Sequence, residues 1–219
     1  MTLYLVPIVE GETEKLCIAP LLHRIWRDLL AAPIRLQVLP ALTVDRGCMV
    51  STTRTDLTDK VDEACVKLIP MIRTDPINAG LLLILLDADH DCPATLGPSL
   101  LHRAKTHRSD VPIACVLAKR MFENWIVAGA STLAGVKGLP DPLSPPPDCE
   151  GRSGSKWLGE QLRHQKSNRA YKKTVDAKVF IQRMNLQECR DNAPSFDKLC
   201  RDLAARLPPP PDDAPAPEA

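Results

Sequence analysis

Three carboxylates crowd the end of the first apolar segment of the chain. The stretch VPIVEGETEKL, residues 6–16, places Glu10, Glu12 and Glu14 directly after a strand-like run. Like charges this close repel one another unless a lysine, a solvated surface or a metal ion compensates them. Carboxylate oxygens without His or Cys are the ligands that Mg²⁺ or Mn²⁺ prefers, so the stretch suggests a site for one of these ions.

Further acids follow the ends of two later apolar segments. Asp87 and Asp89 end the run GLLLILLDAD, and Glu123 lies about one turn beyond the run VPIACVLA. Glu14 lies four residues beyond Glu10, so both side chains can face one site if a helix begins between them. The candidate catalytic residues and metal ligands are Glu10, Glu14, Asp87, Asp89 and Glu123, with Asp91 as a further candidate ligand.

Several residues of these motifs also have a structural interpretation. Glu10 with Gly11 can form only a turn into a helix, and Glu12 is predicted to be solvated. Asp91 can cap the helix that follows it instead of binding metal, and His90 is predicted to be a surface side chain. The hypothesis of a metal site therefore depends on the convergence of several acids and not on any single motif. Ligands of open α/β sheets bind at the carboxyl ends of the strands, where these acids lie.

The apolar runs predict the elements that would position these acids. They are nearly continuous in apolar residues, which is typical of parallel strands covered on both faces. Helical patterns lie between them, with Thr13 as a predicted cap and Pro20 as a predicted kink or break in the first helix. The predicted strands are 3–9, 80–89 and 111–118, with 34–42 as a weaker fourth, and the clearest helix is 55–73. This alternation predicts a doubly wound α/β sheet.

The second half of the chain changes in composition. A helix is predicted over 122–130, and the Pro- and Gly-rich segment 136–154 predicts a loop. Three short helices are predicted beyond it, at 155–165, 175–185 and 195–207, with Ser195 as the N-cap of the last. The predicted organisation is an α/β domain at 1–135, the loop at 136–154, a small helical C-terminal appendage packed on the core at 155–207, and a disordered tail at 208–219.

The composition limits the classes of partner. The 219 residues include 28 Lys and Arg and 27 Asp and Glu, so any contact with nucleic acid must be local. No apolar run reaches the length of a membrane span, and the N-terminus lacks the pattern of a signal peptide. We therefore expect a cytoplasmic protein that does not bind membranes. The eight cysteines form no CxxC pair, which predicts reduced thiols and no structural zinc.

Several basic residues could meet a phosphate near the acids. Arg46 can reach the same edge from a predicted loop, and Arg120 can either contact phosphate or orient a carboxylate. Tyr171 could stack on a base beside two lysines. For each lysine taken alone, an ordinary charged surface is the simpler interpretation. The candidate residues for binding nucleic acid or phosphate are Arg46, Lys119, Arg120, Lys172 and Lys173.

Two of these motifs resemble a known domain. VEGETE after a first strand and DAD after a third are similar to the Toprim domain of topoisomerases, primases and OLD-family nucleases. More closely, the chain resembles small bacterial Toprim-like proteins in the ordered motifs VEGETE, LLDADHDCPATLGP, LAKRMFENWIVAGA, GVKGLPDPL, KWL, YKKTVDA and APSFDKL. The resemblance covers nearly the whole chain except the tail, and it implies a Toprim-like Rossmannoid parallel sheet flanked by helices.

The resemblance also implies Mg²⁺- or Mn²⁺-dependent cleavage of nucleic acid, of DNA more than RNA, on Glu10, Asp87 and Asp89. Glu14 and Glu123 match the additional glutamates of OLD-like nucleases. The chain lacks the P-loop motif and zinc finger of related proteins, so any ATPase would be a separate polypeptide. We expect a nuclease of bacterial defence or DNA repair. The alternative is a non-catalytic regulatory or interaction subunit that keeps the acidic pocket.

Overall fold

The computed structural model describes residues 1–163 and 169–209. The last two positions of the predicted helix 155–165, and positions 210–219 of the predicted tail, lie outside the described residues. Five parallel strands form one sheet in the order β2-β1-β4-β5, with β3 also paired to β1. The strands are β1 (Thr2–Val9), β2 (Arg35–Val38), β3 (Leu42–Thr43), β4 (Ala79–Asp87) and β5 (Ile113–Ala118).

Helices cover both faces of this sheet, which confirms the predicted α/β class. They are α1 (Glu12–Arg24), α2 (Arg46–Val50), α3 (Asp56–Ile72), α4 (Pro93–His107), α5 (Glu123–Ala128), α6 (Gly154–Arg163), α7 (Lys173–Ile181), α8 (Leu186–Asn192) and α9 (Pro194–Ala204). A π-helical turn (Ile25–Leu29) follows α1, and 3₁₀ turns occur at Ala130–Leu133, Val136–Gly138 and Cys149–Gly151. The predicted loop 136–154 thus contains two short turns.

The central strands are buried because they are apolar on both faces. β1 and β4 pair from Leu3 opposite Ala79 to Val9 opposite Leu85. The weaker predicted strand 34–42 is divided into β2 and β3. Its division falls at Pro40, which has no N–H to donate to a ladder.

Two predicted helix starts in this fold are wrong. α1 begins at Glu12 with Gly11 as its N-cap, not at Thr13, and it continues through Pro20 without a break. α9 begins at Pro194, whose ring is compatible with a first helical turn, so Ser195 lies inside the helix. Helices α2 and α8 are also additional to the prediction, so the described residues from Gly154 onwards form four helices.

Two hydrophobic clusters hold the layers together. One packs α3 and α4 on one face of the sheet, and it includes the buried side of α3, formed by Leu57, Val61, Ala64, Cys65 and Leu68. The other packs α1 and the C-terminal helices on the second face, where Leu5, Phe180 and Phe196 share one cluster. The C-terminal helices therefore lie against the face of the sheet that α1 covers.

Two further findings concern the described residues as a whole. All eight cysteines are free thiols, and six of them are buried, as the absence of CxxC pairs predicted. No helix within residues 1–163 or 169–209 has the length and apolar character needed to cross a membrane.

Candidate metal site at the carboxyl edge of the sheet

The strand order brings together the acids that follow the first apolar segment and those that end the run GLLLILLDAD. β2 lies on one side of β1, whereas β4 and β5 lie on the other, so the carboxyl ends of β1 and β4 flank a topological switch point, where α/β sheets bind ligands. Glu10 directly follows β1, and Asp87 is the last residue of β4. The parallel register between Val9 and Leu85 places both acids at one edge.

Asp87 is the most perturbed carboxylate of this edge. Its Oδ1 accepts a hydrogen bond of 2.7 Å from the backbone N–H of Phe122, which fixes the side chain beside the start of α5. Burial raises the pKa of Asp87 to about 8, and the nearby negative charges of Glu14, Glu123 and Glu10 contribute to this shift. The protein therefore holds Asp87 where an anion is unfavourable unless a cation joins it.

Two glutamates from the first motif face the same cluster. Burial raises the pKa of Glu10, and the charges of Asp89 and Glu14 raise it further. Burial also raises the pKa of Glu14, which is only 7% exposed in the first turn of α1. A Cβ atom at position 11 would lie 2.8 Å from Glu14 Oε2, so Gly11 leaves the room that this carboxylate occupies. Glu12, as predicted, is exposed and pairs with Lys15.

Glu123 completes the cluster from α5. Its side chain is fully buried, and its Oε1 lies 3.1 Å from Nζ of Lys173 at the start of α7. Lys173, predicted as a phosphate-binding residue, instead compensates part of the acidic charge. Lys173 thus offsets part of the repulsion among the acids. Its single positive charge faces three carboxylates, those of Glu14, Asp87 and Glu123.

Asp89 and Asp91 lie at the rim, where Arg46 holds both. Arg46 Nε lies 3.4 Å from Asp89 Oδ2, and its Nη2 contacts Asp91 Oδ2. The same guanidinium donates to the backbone oxygens of Asp87 and Ala88, so it is fixed to the end of β4. Asp91 does not cap α4, whose N-cap is Cys92, and its ion pair directs it to Arg46 rather than to the cluster.

The remaining basic candidates are placed in different surroundings. Lys119 lines a separate cavity between α4 and α9, and Lys172 is an exposed residue that precedes α7. Arg120 donates to the backbone oxygen of Gly151, so it does not orient a carboxylate. Base stacking by Tyr171 is wrong, because its hydroxyl is buried without a hydrogen bond and its ring stacks on Phe180 at 6.3 Å.

The donor set fits a hard divalent cation in its chemistry. Glu10 Oε2 and Glu123 Oε2 are buried without a hydrogen-bond partner, and every candidate ligand is a carboxylate oxygen, the type that Mg²⁺ and Mn²⁺ take. Within residues 1–163 and 169–209, however, no three His, Cys, Asp or Glu side chains already form a group arranged to hold an ion. The carboxylates are close enough to shift one another's pKa, and ligation requires their side chains to reorient.

Sequence reasoning missed Asn124, the residue that ties this cluster to the next loop. Asn124 is fully buried, and its Nδ2 lies within hydrogen-bonding distance of the backbone oxygens of Lys119, Glu150 and Arg152. Its Oδ1 accepts from the backbone N–H of Gly154 at 2.8 Å. The signal was an asparagine beside Glu123 in the otherwise apolar stretch FENWIVAGA.

Comparison with known proteins gives one match. The profile of the family described as Domain of unknown function (DUF4276) matches residues 9–204, which include every acid of the cluster. Neither the curated proteins nor the solved structures contain a significant match to the chain. Because the profile spans well over half of the sequence, the chain belongs to the DUF4276 family.

Proposed function

We propose that the protein is a Mg²⁺- or Mn²⁺-dependent nuclease with a Toprim-type acidic site. The observation that supports this most strongly is the convergence of Glu10, Glu14, Asp87 and Glu123 from three segments at the carboxyl edge of the sheet. Burial raises the pKa values of Glu10, Glu14 and Asp87, and the negative charges of neighbouring carboxylates add to these shifts. A phosphodiester carries negative charge itself, so such a site needs an added cation to receive it.

The residues divide into roles by their positions. Asp87 and Glu10 flank the switch point and are the primary ligands, and Asp89 at the rim is a further ligand. Glu10 could alternatively act as the general base. Glu14 and Glu123 would support a second ion. A bound Mg²⁺ or Mn²⁺ would supply water activation and charge stabilisation on the leaving oxygen.

The chain also provides rigidity around these ligands. The N–H of Phe122 fixes Asp87, and the guanidinium of Arg46 fixes the backbone that carries Asp87 and Asp89. The carboxylates therefore start from fixed backbone positions, and only their side chains must turn to take an ion, which limits the entropy lost on binding. We place this activity in a cytoplasmic defence or repair system, acting on DNA with a separate ATPase as partner.

The experiment is a cleavage assay on the purified chain. Plasmid and single-stranded DNA and RNA, incubated with Mn²⁺, are expected to be degraded, and an excess of EDTA should stop the reaction. A matched reaction with the Glu12→Gln variant should proceed at the wild-type rate, because Glu12 is solvent-exposed. Failure of the wild type to cut any of these substrates with Mg²⁺ or Mn²⁺ would contradict the proposal.

A second function is favoured by the ion pair in the cluster. Lys173 already places a cation 3.1 Å from Glu123, and this arrangement suits a regulatory subunit whose acidic pocket binds an ion or a phosphorylated ligand without turnover. The two functions differ in one result. A regulatory subunit would bind Mn²⁺, as measured by calorimetry, and would leave every nucleic acid intact.

A further inference from the structure

A cleft beside the acidic cluster carries three basic side chains. It has a volume of about 360 Å³ and is lined by Arg120, Arg152, Ser153, Lys156, Trp157 and Glu160. In the described part of the chain, no carboxylate forms an ion pair with any of the three basic groups. Glu160 is the single acid of the lining, so the cleft has an excess of positive charge, although the whole chain is nearly neutral.

Backbone oxygens hold the two guanidinium groups in place. Arg120 donates to the oxygen of Gly151, while Arg152 donates through Nη2 to the oxygen of Pro147 at 2.9 Å and through Nε to that of Asp148 at 3.3 Å. These acceptors are neutral, so they orient the side chains without cancelling their charge. Each guanidinium has five N–H groups, and those left over can meet an anion with planar, fork-like geometry.

The cleft is joined rigidly to the acidic cluster. Arg120 follows β5 and accepts a hydrogen bond at its backbone oxygen from the N–H of Asp89. Asn124, adjacent to Glu123, holds the backbone of Arg152 and Gly154 by the contacts described above. The basic and acidic sites are therefore neighbours on the carboxyl edge, and a strand that presents one phosphate to the acids can present a nearby phosphate to the cleft.

We propose that Arg120, Arg152 and Lys156 bind a backbone phosphate of the nucleic-acid strand next to the bond at the acidic cluster. This inference rests on the proposed function for the identity of its ligand. Arg120 was a candidate from the sequence, whereas the cleft adds Arg152 and Lys156, which the loop 136–154 and the start of α6 bring beside it. The contact positions the strand and carries no sequence preference.

The test measures binding separately from cleavage. Fluorescence anisotropy of a labelled single strand of about 20 nucleotides is followed in EDTA between about 50 and about 200 mM salt. The double variant Arg152→Gln, Lys156→Gln should bind about tenfold more weakly, and its salt dependence should be shallower by about 0.7 for each lost phosphate contact. The control is Lys67→Gln, Arg73→Gln, which removes the same charge from exposed positions of α3 and its C-cap.

Three results of this binding experiment would count against the cleft as a binding site for a strand phosphate. Wild-type affinity and salt slope in the cleft variant, or an equal loss in the control, would overturn the proposal. Displacement of the strand by a mononucleotide at equal phosphate concentration would overturn the assignment to a strand. If Arg152→Gln unfolds, Lys156→Gln alone must show the weaker binding, because its exposed side chain makes no ion pair in the described residues.

The wild type and the cleft variant also distinguish failure of the cleft proposal from failure of the proposed nuclease function. If the cleft variant binds weakly and the wild type does not cut in Mn²⁺, the cleft stands and the nuclease fails. If the wild type cuts and the cleft variant binds and cuts like it, the nuclease stands and the cleft fails.

Discussion

Asp87→Asn is expected to abolish Mn²⁺-dependent cleavage while the protein remains folded. The substitution keeps the shape of the side chain and an oxygen that can accept the N–H of Phe122, but it removes the charge of a central ligand. Charge stabilisation by a bound metal contributes several kcal/mol to such reactions, so the rate should fall at least about a hundredfold. The measurement is initial cleavage rate, with circular dichroism as the check on folding.

The same variant has a predicted effect on stability without metal. Since burial raises the pKa of Asp87 to about 8, the folded state binds a proton that the unfolded state has released at pH 6 to 7. The contribution of Asp87 to stability is therefore greatest at acidic pH and is lost as the pH rises through about 8. In EDTA at pH 8.5, Asp87→Asn should have a higher melting temperature than the wild type. This difference in melting temperature should shrink towards pH 5.

The loss of cleavage and the higher melting temperature in EDTA at pH 8.5 must both be found for Asp87→Asn. Glu12→Gln is the matched control, because it removes one negative charge from the same motif at an exposed position. A rate for Asp87→Asn within a few-fold of the wild type would remove Asp87 from catalysis. A variant that melts below the wild type in EDTA at pH 8.5 would show that the charge of Asp87 is already compensated.

Among the substitutions considered, Asn124→Ala is expected to cause the largest loss in the free energy of unfolding. The side chain is fully buried, and its removal leaves the N–H of Gly154 and the oxygens of Glu150 and Arg152 without this partner. Each buried polar group left unsatisfied costs about 1 to 3 kcal/mol, so the free energy of unfolding should fall by at least about 3 kcal/mol. Urea denaturation measures this loss.

An exposed amide provides the comparison. Gln187 makes one side-chain hydrogen bond, to Asp191 within α8, and Gln187→Ala should change stability by less than about 0.5 kcal/mol. A loss below about 1 kcal/mol for Asn124→Ala would mean that the segment 150–154 is held by other contacts. The cleft and the acidic cluster would then not be rigidly joined.

The acids of the cluster could be predicted because they follow apolar strands. An unbroken apolar run predicts a buried parallel strand, and parallel strands deliver the residues at their carboxyl ends to one edge. Glu10 and Asp87 are placed by this rule alone. Glu14 needed only the spacing of one helical turn, and Glu123 the turn after β5.

Contacts between distant segments could not be predicted in this way. Lys173 meets Glu123 across 50 positions of sequence because α7 packs on α1 and α5, and local sequence does not encode that packing. Tyr171 lies in the polar stretch NRAYKKT, which indicates exposure, yet its ring stacks on Phe180 in the second cluster. Ser195 matched the pattern of an N-cap, but it accepts from Trp125 Nε1 at 2.8 Å and contacts Glu150.

The most direct test of the metal site is anomalous diffraction from crystals of the protein soaked in Mn²⁺. We predict an anomalous peak within ligand distance of carboxylate oxygens of Glu10 and Asp87, with Glu10→Gln crystals showing a weaker peak under the same soak. A manganese peak that appears only at other carboxylates, such as the exposed Asp91, or no peak at saturating Mn²⁺, would contradict the assignment of these acids as a metal site.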